Sequence, residues 1–95
     1  MFGLSDRDLS SIRAVFADQS DIKAVVFGSR ARGDYRPTSD IDIALEGDNV
    51  SITQVAQLEE RLDDLMLPYR IDLVRYNNLQ NAALRYNIAT EGIAL

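Results

Sequence analysis

Three aspartates have types and spacing that could do chemistry. Asp40 and Asp42 are separated by one residue, and Asp72 stands inside the apolar run Tyr69-Arg70-Ile71-Asp72-Leu73-Val74. In an extended strand alternate side chains share a face, so Asp40 and Asp42 would emerge together, roughly 6–7 Å apart at the backbone. Anions placed so closely repel each other unless a cation lies between them. Hard divalent cations such as magnesium or manganese take oxygen ligands of this kind. Paired ions about 3.5–4 Å apart are the usual device for activating a phosphoryl centre and steadying its leaving group. Taken alone, Asp-x-Asp also describes the solvated face of an edge strand. Asp72 is the more telling residue, because aspartate is depleted in strands and would here face the same side if its strand lies beside the first pair.

Gly28-Ser29 follows the apolar run Ala24-Val25-Val26-Phe27 directly. Glycine lets a backbone approach a ligand closely. Amides at a following helix start, with the Ser29 hydroxyl, could bind phosphate oxygens. A Gly-Ser turn is common, and the pair says little by itself. Arg30, Arg32 and Arg36 lie between this turn and the acidic pair, three of the nine arginines in the chain. Arginine stays charged and grips phosphate through two N–H groups at once. Singly, each reads as a solubilising surface residue; Arg30 and Arg32, nearest the turn, are the candidates for nucleotide binding. Asp34 is expected to pair with a neighbouring arginine, and Thr38 and Ser39 to orient the loop before Asp40. Glu59, Glu60, Asp63 and Asp64 read as a solvated helix face. Tyr35, Tyr69, Tyr76 and Tyr86 read as packing or surface residues rather than base-stacking ones, although Tyr76, near the third strand's end, could touch a base.

The elements that must position these residues can be read in turn. Ser5 with Asp8 makes a capping pattern, and Leu4 with Leu9 a hydrophobic staple around it. Leu9, Ile12, Val15 and Phe16 then carry a helix to about Asp18. Ile22 to Phe27 is a strand, Ser29 to Arg32 a short helical turn, and Gly33 to Ser39 a loop around Pro37. Asp40 to Leu45 alternates as a strand. Ser51 and Gln54, with Val50 and Val55, start a second long helix with Ile52, Leu58, Leu62, Leu65 and Met66 on its apolar side, closed by Pro68. Tyr69 to Val74 is a third strand. Asn77 and Gln80 are candidate caps for a last helix, Asn78 to about Glu91, stopped by Gly92. The order is α-β-α-β-α-β-α. The loop-rich connection between the first two strands suits an antiparallel pair, and the helix between the second and third a right-handed parallel crossover. The expected fold is α/β (α+β): a small mixed three-stranded sheet, helices on one face, the other partly open.

Composition bounds the alternatives. With 95 residues, 46% hydrophobic and 26% charged, the chain is expected to form one domain over 1–95. It has no cysteine and no histidine, which excludes disulfides, thiol nucleophiles, the usual zinc sites and histidine base chemistry. A net charge of −5 argues against non-specific binding of nucleic acid. No apolar run is long enough to cross a membrane and no signal peptide opens the chain, so cytoplasmic location is the expectation.

Taken together, Gly28-Ser29, ten residues, Asp40-Ile41-Asp42 and a later Asp72 resemble the signature of the DNA polymerase beta-like nucleotidyltransferase superfamily. The stretch from Phe27 to Leu45 is similar to its smallest branch, the minimal nucleotidyltransferases (MNT). The resemblance implies the nucleotidyltransferase fold, with Gly28 and Ser29 on the triphosphate of ATP. It implies two magnesium ions on Asp40 and Asp42, with Asp72 completing the metal site and helping to deprotonate the attacking hydroxyl. It further implies an antitoxin paired with a small helical HEPN-type toxin, and transfer of AMP from ATP to a tyrosine of that partner. No acceptor-binding domain is evident, so the acceptor would be brought by another protein or an oligomer. Two other outcomes stay open: a non-catalytic antitoxin that binds nucleotide and covers its partner, and a transferase with a small-molecule acceptor.

Overall fold

Local signals start each long helix. In the computed structural model, which describes residues 1–95, α1 spans Asp6–Phe16. The Ser5 hydroxyl accepts a hydrogen bond from the Asp8 amide at 3.1 Å, and Asp6 and Asp8 place negative charge at the positive helix end. Leu9, Ile12 and Val15 form its buried stripe. Helix α3, Ile52–Asp63, starts the same way, with Ser51 accepting from the Gln54 amide at 3.0 Å. The Gln54 side chain does not turn back to complete a capping box; its amide donates to Gln19 instead, tying α3 to the loop after α1. Leu58 and Leu62 are the buried residues of α3. Ile52 and Met66 fall outside that stripe and are exposed. Met66 adopts a left-handed φ of 56°, which ends the helical path before Pro68 can.

The strands are β1 Lys23–Phe27, β2 Ile41–Glu46, β3 Ile71–Arg75 and β4 Ile93–Ala94, in the sheet order β3-β2-β1-β4. β1 and β2 pair antiparallel, and β2 and β3 run parallel through the α3 crossover. The sheet thus has four strands, one more than the sequence pattern predicts. β4 is only two residues long and pairs antiparallel with β1, Val25 opposite Ala94 and Val26 opposite Ile93. Gly92 does not end the last helix as a left-handed residue: its φ is −63° and its ψ 141°. It is needed for space, since a Cβ there would stand 2.4 Å from the Ile88 carbonyl oxygen and 2.5 Å from Val25 Cγ1. That last helix, α4, runs Ala82–Glu91 and is capped by Asn81, whose side chain accepts from the Leu84 amide; Tyr76–Asn78 forms a separate 3-10 turn.

Both faces of the sheet are covered, though unequally. Val26, Ile41, Ile43 and Leu45 join Leu9, Ile12, Val15, Leu58 and Leu62 in the main core, so α1 and α3 lie on that side. The alternate residues Val25 and Ala44 are also buried, with Ile88 of α4, on the other side. The expectation that all helices share one face is therefore corrected: α4 closes the middle of the second face, because Ile88 and Gly92 allow it to sit tightly against β1. What remains open on that face is one end of the sheet. No helix is long and apolar enough to cross a membrane.

Candidate active site

The open end is where β1 finishes and β2 and β3 begin. Across it Phe27, Asp42 and Asp72 form a row, because Phe27 is the register partner of Asp42 and Asp42 that of Asp72. Register partners in a sheet project to the same side. Asp42 and Asp72 therefore stand next to each other on adjacent strands. Asp40 lies one residue ahead of β2, not inside it, and is exposed at the mouth of the row. The carboxyl of Asp42 is pushed above the usual carboxylate range, first by burial and then by the charges of Asp72 and Asp40. Both other acids thus act on Asp42.

The Gly28-Ser29 turn reaches Asp42 directly. Gly28 takes φ 75° and ψ −154°, a conformation open to glycine, and a Cβ on it would stand 2.8 Å from Asp42 Oδ2. The chain then coils into α2, Ser29–Arg32, with the Ala31 and Arg32 amides donating to the Gly28 carbonyl and Gly33 closing the turn in a left-handed conformation. The first strand thus hands its chain to a short turn packed against the acidic row.

The arginines divide. Arg30 is only 2% exposed and points inward. Its Nε and Nη2 donate to the Ser39 carbonyl, Nη2 also to Pro37, and Nη1 to Phe2. The rings of Tyr35 and Tyr69 flank the guanidinium at 5.2 and 4.8 Å. Its donors are committed to carbonyls, so the expectation that Arg30 grips phosphate is corrected. It braces the loop that delivers Asp40, and β-strand neighbour Tyr69, from behind. Ser39 assists by accepting from the Arg36 amide at 2.8 Å. Arg32 is exposed and pairs with Glu91 at 3.3 Å and Asp34 at 3.4 Å, contacts that hold its pKa above the usual arginine value. Its guanidinium stands at the exposed rim of the turn, shared between these two carboxylates.

Two further residues shift in the account. Tyr76 follows the far end of β3, four residues beyond Asp72, or about 13 Å along a strand, and stacks on Arg85 at 4.6 Å. It is too distant to touch a base held at the acidic row. Arg70, which nothing in the spacing singles out, donates from Nε to Asp72 Oδ1 at 3.0 Å. A run of one basic and one acidic residue at i and i+2 on a strand was the available signal.

A divalent cation suits this donor set. Asp42 is a partly buried carboxylate facing two others; its pKa is raised first by burial and then by their charges, a repulsion that a hard cation would relieve. As they stand, no three acidic side chains are drawn together tightly enough to hold an ion.

Residues 10–95 match the family model "Polymerase beta, Nucleotidyltransferase". Over 78 residues the chain is 31% identical to "Putative protein adenylyltransferase MJ1217" of Methanocaldococcus jannaschii, covering 80% of this chain and 79% of that protein. Among solved structures it is similar to one described as "Structure of putative minimal nucleotidyltransferase", with a TM-score of 0.70 and 29% identity over 94% of this chain and 89% of the other. It shares its fold with a chain of "Crystal structure of the toxin-antitoxin with AMP-PNP", with a TM-score of 0.71 and 24% identity over 90% of this chain and 69% of that one.

Proposed function

The chain belongs to the polymerase beta nucleotidyltransferase family, and we propose that it is a magnesium-dependent adenylyltransferase that moves AMP from ATP to a protein hydroxyl, a tyrosine of a HEPN-type toxin, and so acts as an antitoxin. The observation that carries this reading is the meeting of Asp42 and Asp72 on adjacent strands, against the Gly28 turn. The protein adenylyltransferase name of the archaeal relative and the nucleotide analogue in the toxin-antitoxin neighbour support the donor and the acceptor class.

Asp40 and Asp42 would hold two magnesium ions, with Asp72 completing the set. When bound, the ions polarise the α-phosphoryl group and neutralise charge on the departing pyrophosphate. Gly28 brings the backbone close to the triphosphate, and Ser29 adds a hydroxyl. Arg32 offers an exposed guanidinium from the same short helix. Asp72, the member of the row on the edge strand, takes the acceptor proton. The acceptor oxygen bonds to the α-phosphorus as the bond to the bridging oxygen breaks, and pyrophosphate leaves. The acidic row lies at an open sheet end, so the second wall of the cleft is the partner protein itself.

Intact-mass measurement of the co-encoded partner after incubation with this protein, ATP and magnesium tests the reading. One added adenylate per partner is expected, and Asp40→Asn/Asp42→Asn should slow it by at least about a hundred-fold. A double variant that no longer adenylates but still neutralises its partner would shift the reading to a binding antitoxin.

A further inference from the structure

Among the ion pairs of the structure, Arg70–Asp72 alone involves a member of the acidic row; the others join Arg32 to Asp34 and Glu91, and Arg61 to Asp18. Arg70 is 75% exposed and Asp72 40% exposed at the side chain. The Arg70 carbonyl accepts from the Ile41 amide, which extends the β2–β3 ladder back to residue 70 and fixes the base of the side chain beside Asp72. The contact is a single Nε–H donation to Oδ1, not a two-pronged grip. An exposed, singly bonded pair is weak. It can hold a carboxylate in one orientation, and a divalent cation that gains several carboxylates at once can break it. Asp72 can serve an ion fully only once Arg70 moves aside.

We propose that Arg70 is a positioning residue, an internal counter-ion that holds the Asp72 carboxylate beside Asp42 before metal arrives and surrenders it when the ion binds. The inference rests on the reading that Asp72 is a metal ligand. It accounts for two observations together: Asp72 faces Asp42 in register, and yet the three acids are not gathered around one point. The cation that shares Asp72 keeps two like charges tolerable on neighbouring strands.

The Nε–H resonance of Arg70, assigned by its loss in Arg70→Gln, reports the contact directly in the whole protein. Titration with magnesium should move it to the position of a free arginine, with the same midpoint as the Asp42 amide. Manganese binding without nucleotide gives an independent readout: Arg70→Gln should tighten it about two- to five-fold. That gain should vanish when Asp72→Asn is already present. An Arg70 resonance that ignores magnesium while the Asp42 amide responds would overturn the inference alone. So would unchanged or weakened manganese binding in Arg70→Gln, or an equal gain in the Asp72→Asn background. No saturable binding of either ion to the unaltered protein would overturn the metal site and the inference together.

Discussion

At the scale of the residue, Asp42 is the carboxyl that the fold raises above its usual pKa. Its carboxyl is raised by burial, then by Asp72 and Asp40. The folded chain therefore holds the Asp42 proton more tightly than the unfolded chain does. Stability conferred by this residue is fullest below the ordinary carboxylate pKa. It falls as pH rises through the folded value and stays low at neutral pH. Asp42→Asn should accordingly stabilise the metal-free protein near neutrality, by at most about 1 kcal/mol given its partial exposure, or a few degrees in Tm. The same change should abolish the rise in Tm that magnesium gives the unaltered protein; thermal melts at neutral and acidic pH measure both. Gly28→Ala should do the opposite, costing about 1–3 kcal/mol for its backbone conformation alone and displacing Asp42. Denaturant unfolding would register the loss. Arg30 shows why the arginine stretch was only half legible. Residues two apart on a helix turn do not face the same way, so Arg30 and Arg32 could not both serve one ligand, but nothing local told which would be buried. Arg30→Met should lose about 3 kcal/mol by leaving the Phe2, Pro37 and Ser39 carbonyls without their donor, while Arg32→Met should leave Tm nearly unchanged.

At the scale of the element, what could be read from the chain was what local physics decides. Ser5 and Ser51 announce α1 and α3 because a hydroxyl at the cap acts within three residues. The alternation around Asp42 sets the face of β2, and the crossover length sets the parallel β2–β3 pair. β4 escaped because two residues carry no periodicity, and its partner β1 is far away in sequence. The apolar Ile93-Ala94-Leu95 after Gly92 was its only trace. α4 begins later than its pattern implied because Asn81, not Asn77 or Gln80, supplies the cap. Gly92 joins these two elements. Gly92→Ala should drive a methyl into the Ile88 carbonyl and Val25, costing about 1–3 kcal/mol. Amide exchange should then speed up at Val25 and Val26 more than in β3; equal protection would argue that β4 contributes little.

At the scale of the whole molecule, the acidic row occupies a sheet end that neither α1, α3 nor α4 covers. The row was legible because alternation and register are regular. Its tightness, and the Arg70 contact, depend on side-chain positions that no spacing encodes. A chain with a net charge of −5 that concentrates carboxylates at an open edge favours cations over a nucleic-acid backbone. If this end of the sheet transfers the nucleotidyl part of ATP, the α-phosphate must travel with it. Labelling the partner with ATP radiolabelled at the α- or the γ-phosphate measures that most directly. Covalent label is expected from the α position, none from the γ position, and none from either with Asp40→Asn/Asp42→Asn. Transfer of the γ label, or no α label from a protein that binds magnesium and ATP saturably beside its partner, would contradict nucleotidyl transfer at this site.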